Sequence, residues 1–265
     1  MCSIADCEFN RGCLKSANGG RRTRGCRRSS HAEAQLADNK NDFIDRLPRK
    51  ERERLLGSCK LTDLAYEQVI WESGKPLRYI YFPTSAFISL VASIDDEPVL
   101  EVGMIGHEGV LGAQLALGVS SAPLHAVVQG EGESWRIGAG ALRSELGVSE
   151  PLRRLMHAYL SVLMRQMSTS AACVRFHCIG PRLARWLLMT QDRARSDVFN
   201  VTQQFLSYML GVRRVGITAA AGALQSEGLI SYSRGALTVL DRAGLEAASC
   251  SCYASDRFAY ASAFH

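Results

Sequence analysis

Hydrophobic and polar residues follow two rhythms along this chain, short runs in its first half and a helical period in its second. Between Leu61 and about Ile137 the apolar runs are short and rich in Val, Ile, Tyr and Phe. They are Ala65–Ile70, Arg78–Phe82, Phe87–Ser93, Val99–Met104, Ala126–Gln129 and Ser134–Ile137. Turn-formers separate them at Ser73-Gly74, Pro83-Thr84, Asp95-Asp96-Glu97-Pro98, Gly106–Gly109 and Gly130–Gly132. Runs of that length between such punctuation predict strands, and their spacing predicts an antiparallel barrel or sandwich. Val110–Leu117 interrupts them as a short helix or loop. Ahead of the strands, Phe43, Ile44 and Leu47 are spaced to pack inward from a helix over Asp42 to Leu56, restarted at Pro48.

After the strands the period becomes helical. Ser149 and Glu150 precede Pro151, which suits a helix's first turn. Leu152, Leu155, Met156, Tyr159, Val162, Leu163 and Met167 then form a wide apolar stripe reaching about Cys173, diluted by Gln166 and Thr169. That stripe is longer than one domain should need, so these seven residues are expected to face the same helix of a second copy in a parallel homodimer. Pro181 starts another helix, buried through Leu183, Trp186, Leu187 and Met189.

Thr202 can cap the next helix by accepting from a free backbone N–H, and Phe205, Leu206 and Met209 give it one apolar face. Gly211 suits the left-handed residue that ends it. A second helix from about Arg213 to Ser226 buries Ile217, Ala221 and Leu224. Two short helices joined by a glycine turn make a helix-turn-helix, whose second helix can present its first residues to a DNA major groove. Leu229–Ser233 and Ala236–Leu240, around Arg234-Gly235, read as a hairpin, which converts the unit into a winged helix. Asp241 caps a last helix from Arg242 to about Ala248, and residues 249–265 read as a polar tail containing Ser and Cys.

Composition adds a location and a polarity. A hydrophobic fraction of 47% with 22% charged residues is that of a soluble globular protein. No apolar run approaches membrane-spanning length, and the Arg-rich start lacks the apolar core of a secretory leader, so a cytoplasmic protein without membrane partners is expected. Residues 1–30 carry a net charge of +5, residues 31–173 one of −4, and residues 174–265 one of +4 with ten Arg and no Lys. Positive charge concentrated around the helix-turn-helix is what a nucleic-acid-binding domain joined to a non-binding one should show. The first 40 residues, dominated by Ser, Gly, Asn and Arg, read as a disordered basic tail. No G-x-S-x-G, H-E-x-x-H or phosphate loop is present, since His107-Glu108 is followed by Gly109, so no enzyme is expected.

Nine cysteines in a cytosolic chain leave thiol, metal or redox chemistry open. Cys173 and Cys178 flank Phe176-His177, and Cys250-Ser251-Cys252 follows the last helix. Either pair could make the chain a redox sensor through reactive thiols, although one intervening residue is tight for two ligands of one ion and Cys173 reads as a small buried hydrophobe. His107, His125 and His157 are too dispersed for a metal site.

The order of parts, over roughly residues 41–240, resembles the Crp/Fnr family of bacterial transcription regulators. TQQFLSYMLGVRRVGITAAAGALQSEGLI from Thr202 to Ile230 resembles the family's helix-turn-helix without gaps, and RLARWLLM at Arg182–Met189 the helix before it. YIYFPTSAFISL and the glycines Gly103, Gly106, Gly109 and Gly112 resemble its cyclic-nucleotide-binding fold. The resemblance implies an α+β protein with an antiparallel β-roll sensor (41–148), a dimerisation helix (149–173) and a winged helix-turn-helix (174–248). It implies double-stranded DNA, a second copy and RNA polymerase as partners. Thr202, Gln204 and Arg213 match phosphate-facing positions, Gln203 is counted with them as DNA-binding, and Arg214 matches a position that reaches guanine. Val215, Thr218 and Ala219 stand at the other base-reading positions, where Val215 replaces the usual Glu and Ala219 the usual Arg. Members that bind a cyclic nucleotide hold its phosphate with an Arg, but between Gly106 and Trp135 this chain has neither Arg nor Lys, so that ligand is not expected. Cys2, Cys7 and Cys13, with Cys26 or Cys59 as fourth, resemble the iron–sulfur ligands of oxygen-sensing members, with wider spacing.

Overall fold

The computed structural model describes residues 40–93 and 99–264; Cys2, Cys7, Cys13 and Cys26 lie outside the described residues. Asn41 opens the fold. Its side chain accepts from the Ile44 N–H at the start of α1 (Asp42–Asp45) and donates to the carbonyls of Pro83 and Gly109 at 2.7 and 3.0 Å. Pro48 then restarts the chain as α2 (Arg49–Gly57).

Seven antiparallel strands follow: β1 (Lys60–Leu64), β2 (Val69–Trp71), β3 (Tyr79–Pro83), β4 (Phe87–Ala92), β5 (Leu100–Ile105), β6 (His125–Gly130) and β7 (Gly132–Gly138). They form two sheets, β1-β7-β3 and β2-β6-β4-β5, closed over Ile80, Phe82, Ile88, Leu90, Val128 and Ile137. The expected run Ala65–Ile70 is not one strand. It turns at Glu67, where φ is 62°, and pairing begins earlier because Lys60–Leu64 needs only Leu64 in the core. Ala113–Leu117 is a 3-10 helix. α3 (Ala139–Val148), unforeseen because Gly140 and Gly147 interrupt its pattern, buries Ala139, Leu142 and Leu146.

α4 (Glu150–Phe176) is capped by Ser149, which accepts from the Leu152 N–H. Here the structure corrects the dimer seam. Leu152, Met156, Tyr159, Val162 and Leu163 are buried within their own chain, and Leu155 and Met167 pack half-buried against the same core. The stripe is not in excess, because residues 249–265 are not a tail. They supply α9 (Cys252–Ala263), which lies along α4 beside the β-roll. Cys252, Tyr253, Asp256 and Ala259 are its buried side, a helical period hidden among Ser and Cys.

α5 (Ile179–Ala194) forms a second core in which Leu183, Trp186 and Leu187 meet Phe87, Val91 and Met104 of the β-roll. Beside it, Glu101 accepts from the Ser89 hydroxyl at 2.5 Å. Burial raises the Glu101 carboxyl from 4.5 to about 7, against the opposing pull of Ser89, Arg193 and Arg185. The folded chain therefore keeps a proton that the unfolded chain has released between those values, and stability falls as pH rises through that window. Glu101→Gln is expected to flatten this slope and to stabilise the fold above it by up to about 3 kcal/mol. Urea unfolding at about pH 5 and about pH 8 checks it, and an unchanged slope in the variant would refute the assignment.

Candidate nucleic-acid interface

The C-terminal unit is built on α5. β8 (Val198–Asn200) leads into α6 (Gln203–Met209), then α7 (Arg214–Ser226), β9 (Ile230–Ser233), β10 (Ala236–Val239) and α8 (Arg242–Ala248). Thr202 accepts from the Phe205 N–H at 3.1 Å and so starts α6. The turn after it needs Gly211, whose φ is +61° and where a Cβ would also press on Leu100 of β5. The Arg182 guanidinium donates to the Leu210 carbonyl and holds the turn from below. Leu206, Met209, Ile217, Ala221 and Leu224 are thereby drawn onto Leu183, Leu187, Leu237 and Leu245.

The wing is a three-stranded sheet in the order β8-β10-β9; β8 is a strand that the apolar pattern did not reveal. Arg234 and Gly235 turn the hairpin with φ of +50° and +84°, the double positive pair whose twist matches two antiparallel strands. Two bonds fasten the wing. The Tyr232 N–H donates to Gln225 of α7 at 3.0 Å, and the Tyr232 hydroxyl donates to the Val201 carbonyl at 2.7 Å.

Thr202 and Gln204 are exposed at the start of α6, and Arg213, Arg214, Val215, Thr218 and Ala219 are exposed on the first turns of α7. Val215 is 74% exposed, so its methyl groups serve no core. Gln203 differs. It is half-buried and accepts from the Thr218 hydroxyl at 2.7 Å, a bond that links α6 to α7.

Electrostatics single out three guanidiniums. Arg182 is bonded to Leu210, Arg185 pairs with Asp256 at 2.6 Å, Arg193 with Glu108 at 2.9 Å, and Arg242 with Asp192 at 2.7 Å. Arg195 and Arg257 also meet acids, Asp42 and Glu246, and Arg175 lies over Phe176. Arg213, Arg214 and Arg234 form no ion pair among the described residues, and all three are exposed. Sequence reasoning passed over Arg234; its signal was a cation in the two-residue turn of the predicted hairpin. An exposed helix N-terminus carrying two free guanidiniums, flanked by a third on a hairpin tip, is chemically fitted to phosphate oxygens and guanine edges.

The β-roll has a different chemistry. Its buried polar side chains include Thr84, Ser89, Gln129 and Ser134, and none of the buried residues on its strands is a cation. At Gly112 a Cβ would run into Ile80, so the loop after β5 is packed against an apolar side chain. A buried phosphate needs a paired cation, and among the described residues the strands of the β-roll bury none. Cys59 is half-buried, and burial with Glu145 nearby pushes its thiol up to about 12. One group of His and Cys among the described residues does converge: Cys173, His177, Cys250 and Cys252. Cys173 is buried, as expected, but among thiols and an imidazole and not in an apolar core, because α8 and α9 return the chain to the end of α4.

A family model for the Crp-like helix-turn-helix domain matches residues 181–248, from the first turn of α5 to the end of α8. Among similar solved structures, FixK2 from Bradyrhizobium japonicum is 14% identical with a TM-score of 0.62, covering 72% of this chain and 98% of its own. The c-di-GMP-responsive global regulator CLP of Xanthomonas campestris is 18% identical with a TM-score of 0.60, covering 72% and 99%. A CRP-family transcriptional regulator from Thermus thermophilus is also 18% identical, with a TM-score of 0.60, covering 71% and 96%. No curated protein matches the chain. At these identities the structures speak for the fold, and the helix-turn-helix model speaks for the DNA-binding unit. Residues 181–248 thus carry a Crp-like helix-turn-helix domain, and the chain as described has the fold of these solved regulators, a β-roll joined by helices to a winged helix-turn-helix.

Proposed function

We propose that this Crp/Fnr-type regulator reads a pseudo-palindromic operator as a homodimer, with Arg214 as its principal base-reading side chain. The carrying observation is that Arg213, Arg214 and Arg234 are exposed without ion pairs while the other Arg side chains of this unit are engaged within the fold. In this reading Arg213 and Arg234 grip phosphates together with Thr202 and Gln204. Arg214 donates two N–H groups to guanine, the commonest specific contact. Val215 offers only methyl groups and Ala219 one methyl, which favours thymine at their base pairs. Gln203 orients Thr218 in place of a direct DNA contact.

The β-roll (41–148) serves as a sensor for something other than a cyclic nucleotide, α4 carries the dimer, and RNA polymerase is the partner through which bound DNA is acted on. No catalytic step is assigned to it. No helix among the described residues is long and apolar enough to cross a membrane. The dimer seam moves to the other face of α4, where Ser161, Met164, Ser168 and Ala171 are exposed at steps of three and four residues. That spacing is the seam of a two-helix coiled coil.

Selection from a random DNA pool is expected to return two related half-sites, with affinity falling steeply as salt rises. Arg214→Ala should relax preference at one base pair per half-site by about 1–3 kcal/mol, whereas Gln204→Ala should weaken all sequences about equally. Binding that stays uniform across sequences in the unaltered protein would sink the reading. Met164 is 69% exposed in the single chain, so Met164→Glu should yield monomers in sedimentation equilibrium while leaving the fold intact. A variant that remains dimeric would place the seam elsewhere.

A further inference from the structure

The last turn of α4 and the junction between α8 and α9 bring four side chains to one point. His177 follows Cys173 by one turn, and its N–H still bonds the Cys173 carbonyl at 3.1 Å. Cys250 and Cys252 flank Ser251 where α9 begins. The three sulfurs and one imidazole nitrogen all lie within 4.8 Å of one another. Cys173 Sγ is 3.5 Å from Cys250 Sγ, and Cys252 Sγ is 3.5 Å from His177 Nδ1. A tetrahedral ion with sulfur at about 2.3 Å and nitrogen at about 2.0–2.1 Å separates its ligand atoms by roughly 3.5–3.8 Å. Two edges of that tetrahedron are therefore already set, and the rest need the atoms to draw in by about 1 Å at most.

The surroundings suit a charged site better than a fatty one. Cys173, Cys250 and Cys252 are 2%, 7% and 7% exposed, and they cluster with one another apart from the two apolar cores. Thiols used only as small hydrophobes would join those cores. Two buried guanidiniums act on the sulfurs instead, Arg182 on Cys173 and Cys250, and Arg185 on Cys173 and Cys252. Three thiolates around a divalent ion leave one negative charge. Arg185 is already paired with Asp256 at 2.6 Å, so Arg182, which meets no acid among the described residues, is the cation left to offset it.

We propose that Cys173, His177, Cys250 and Cys252 form a closed, four-ligand site for a thiophilic divalent cation of the zinc class. Thiolate and imidazole donors exclude magnesium and calcium, which require oxygen. Four protein ligands leave no open position, so the ion is structural. From its place in the fold, the ion clamps the end of α4 to the α8–α9 junction and so holds α9 down across α4 and α5. Each bound ion displaces the remaining thiol protons to solvent, and no electron is transferred.

Full-length protein made without a polyhistidine tag is expected to carry one zinc per chain by mass-spectrometric metal analysis. Replacement by Co2+ should give the intense visible bands and sulfur-to-cobalt charge transfer of a tetrahedral thiolate site. Cys250→Ser and Cys252→Ser should each lower retained metal by about tenfold or more after dialysis. Cys59→Ser, Cys178→Ser and joint replacement of Cys2, Cys7, Cys13 and Cys26 by Ser should leave metal content unchanged. Cobalt titration of the unaltered chain keeps the test independent of whether a variant folds. A metal-free protein that gives no cobalt spectrum, a Cys173–Cys250 disulfide in the protein as isolated, or loss of the metal with the N-terminal cysteines would each overturn the proposal.

Discussion

Arg193 lies near the end of α5 with its side chain 7% exposed, and Glu108 meets it at 2.9 Å from the turn after β5. A buried guanidinium without an acid costs several kcal/mol, so α5 has few places where it can rest on the β-roll. Glu108 stands in the turn Gly106–Gly109, and both of those glycines are there for space. At Gly106 a Cβ would lie 2.7 Å from Arg193 Cγ, and at Gly109 it would overlap the ring of Tyr159 on α4. Tyr260 of α9 closes the group, with its hydroxyl 3.4 Å from Glu108 and 3.5 Å from Arg193. One turn of the β-roll is thus gripped by α4, α5 and α9 together. Since α6 and α7 are packed on α5, the placement of α7 depends on that grip. Buried ion pairs of this kind add little net stability, but a shifted register would leave a buried charge unpaired.

The same economy governs the Arg residues of the C-terminal unit. Their number alone reads as a diffuse affinity for nucleic acid. The fold divides them into a structural group, in which Arg182, Arg185, Arg193 and Arg242 hold turns and helices, and an open group of Arg213, Arg214 and Arg234. Net charge therefore overstates how many guanidiniums are open to a polyanion, since most of those in this unit are engaged within the fold.

Much of the recognition unit was legible because its determinants are local. Thr202 as a cap, Gly211 as a left-handed turn, Arg234-Gly235 as a hairpin tip and Asp241 as a second cap each act within about four residues of themselves. The β-roll strands were legible where β-branched and aromatic residues recur, and illegible where they do not, as at Lys60–Leu64. α3 was lost behind two glycines, and α9 behind a composition of Ser, Ala and Cys, although Tyr253, Asp256, Ala259 and Tyr260 keep a helical period.

The sequence by itself determined most of the β-roll strands, the long helix and the caps and turns around α6 and α7, though not α3, β8 or α9, since propensity, capping and hydrophobic period are properties of neighbouring residues. It could not decide which surface covers an apolar stripe, because a helix face looks the same whether its partner is another copy or its own chain. The tertiary structure decided that, by bringing α9 onto Tyr159 and its neighbours and leaving the opposite face of α4 open. It also decided the company of Cys173. Seventy-seven positions separate that thiol from Cys250, and only the return of α8 and α9 to the end of α4 brings the two within 3.5 Å.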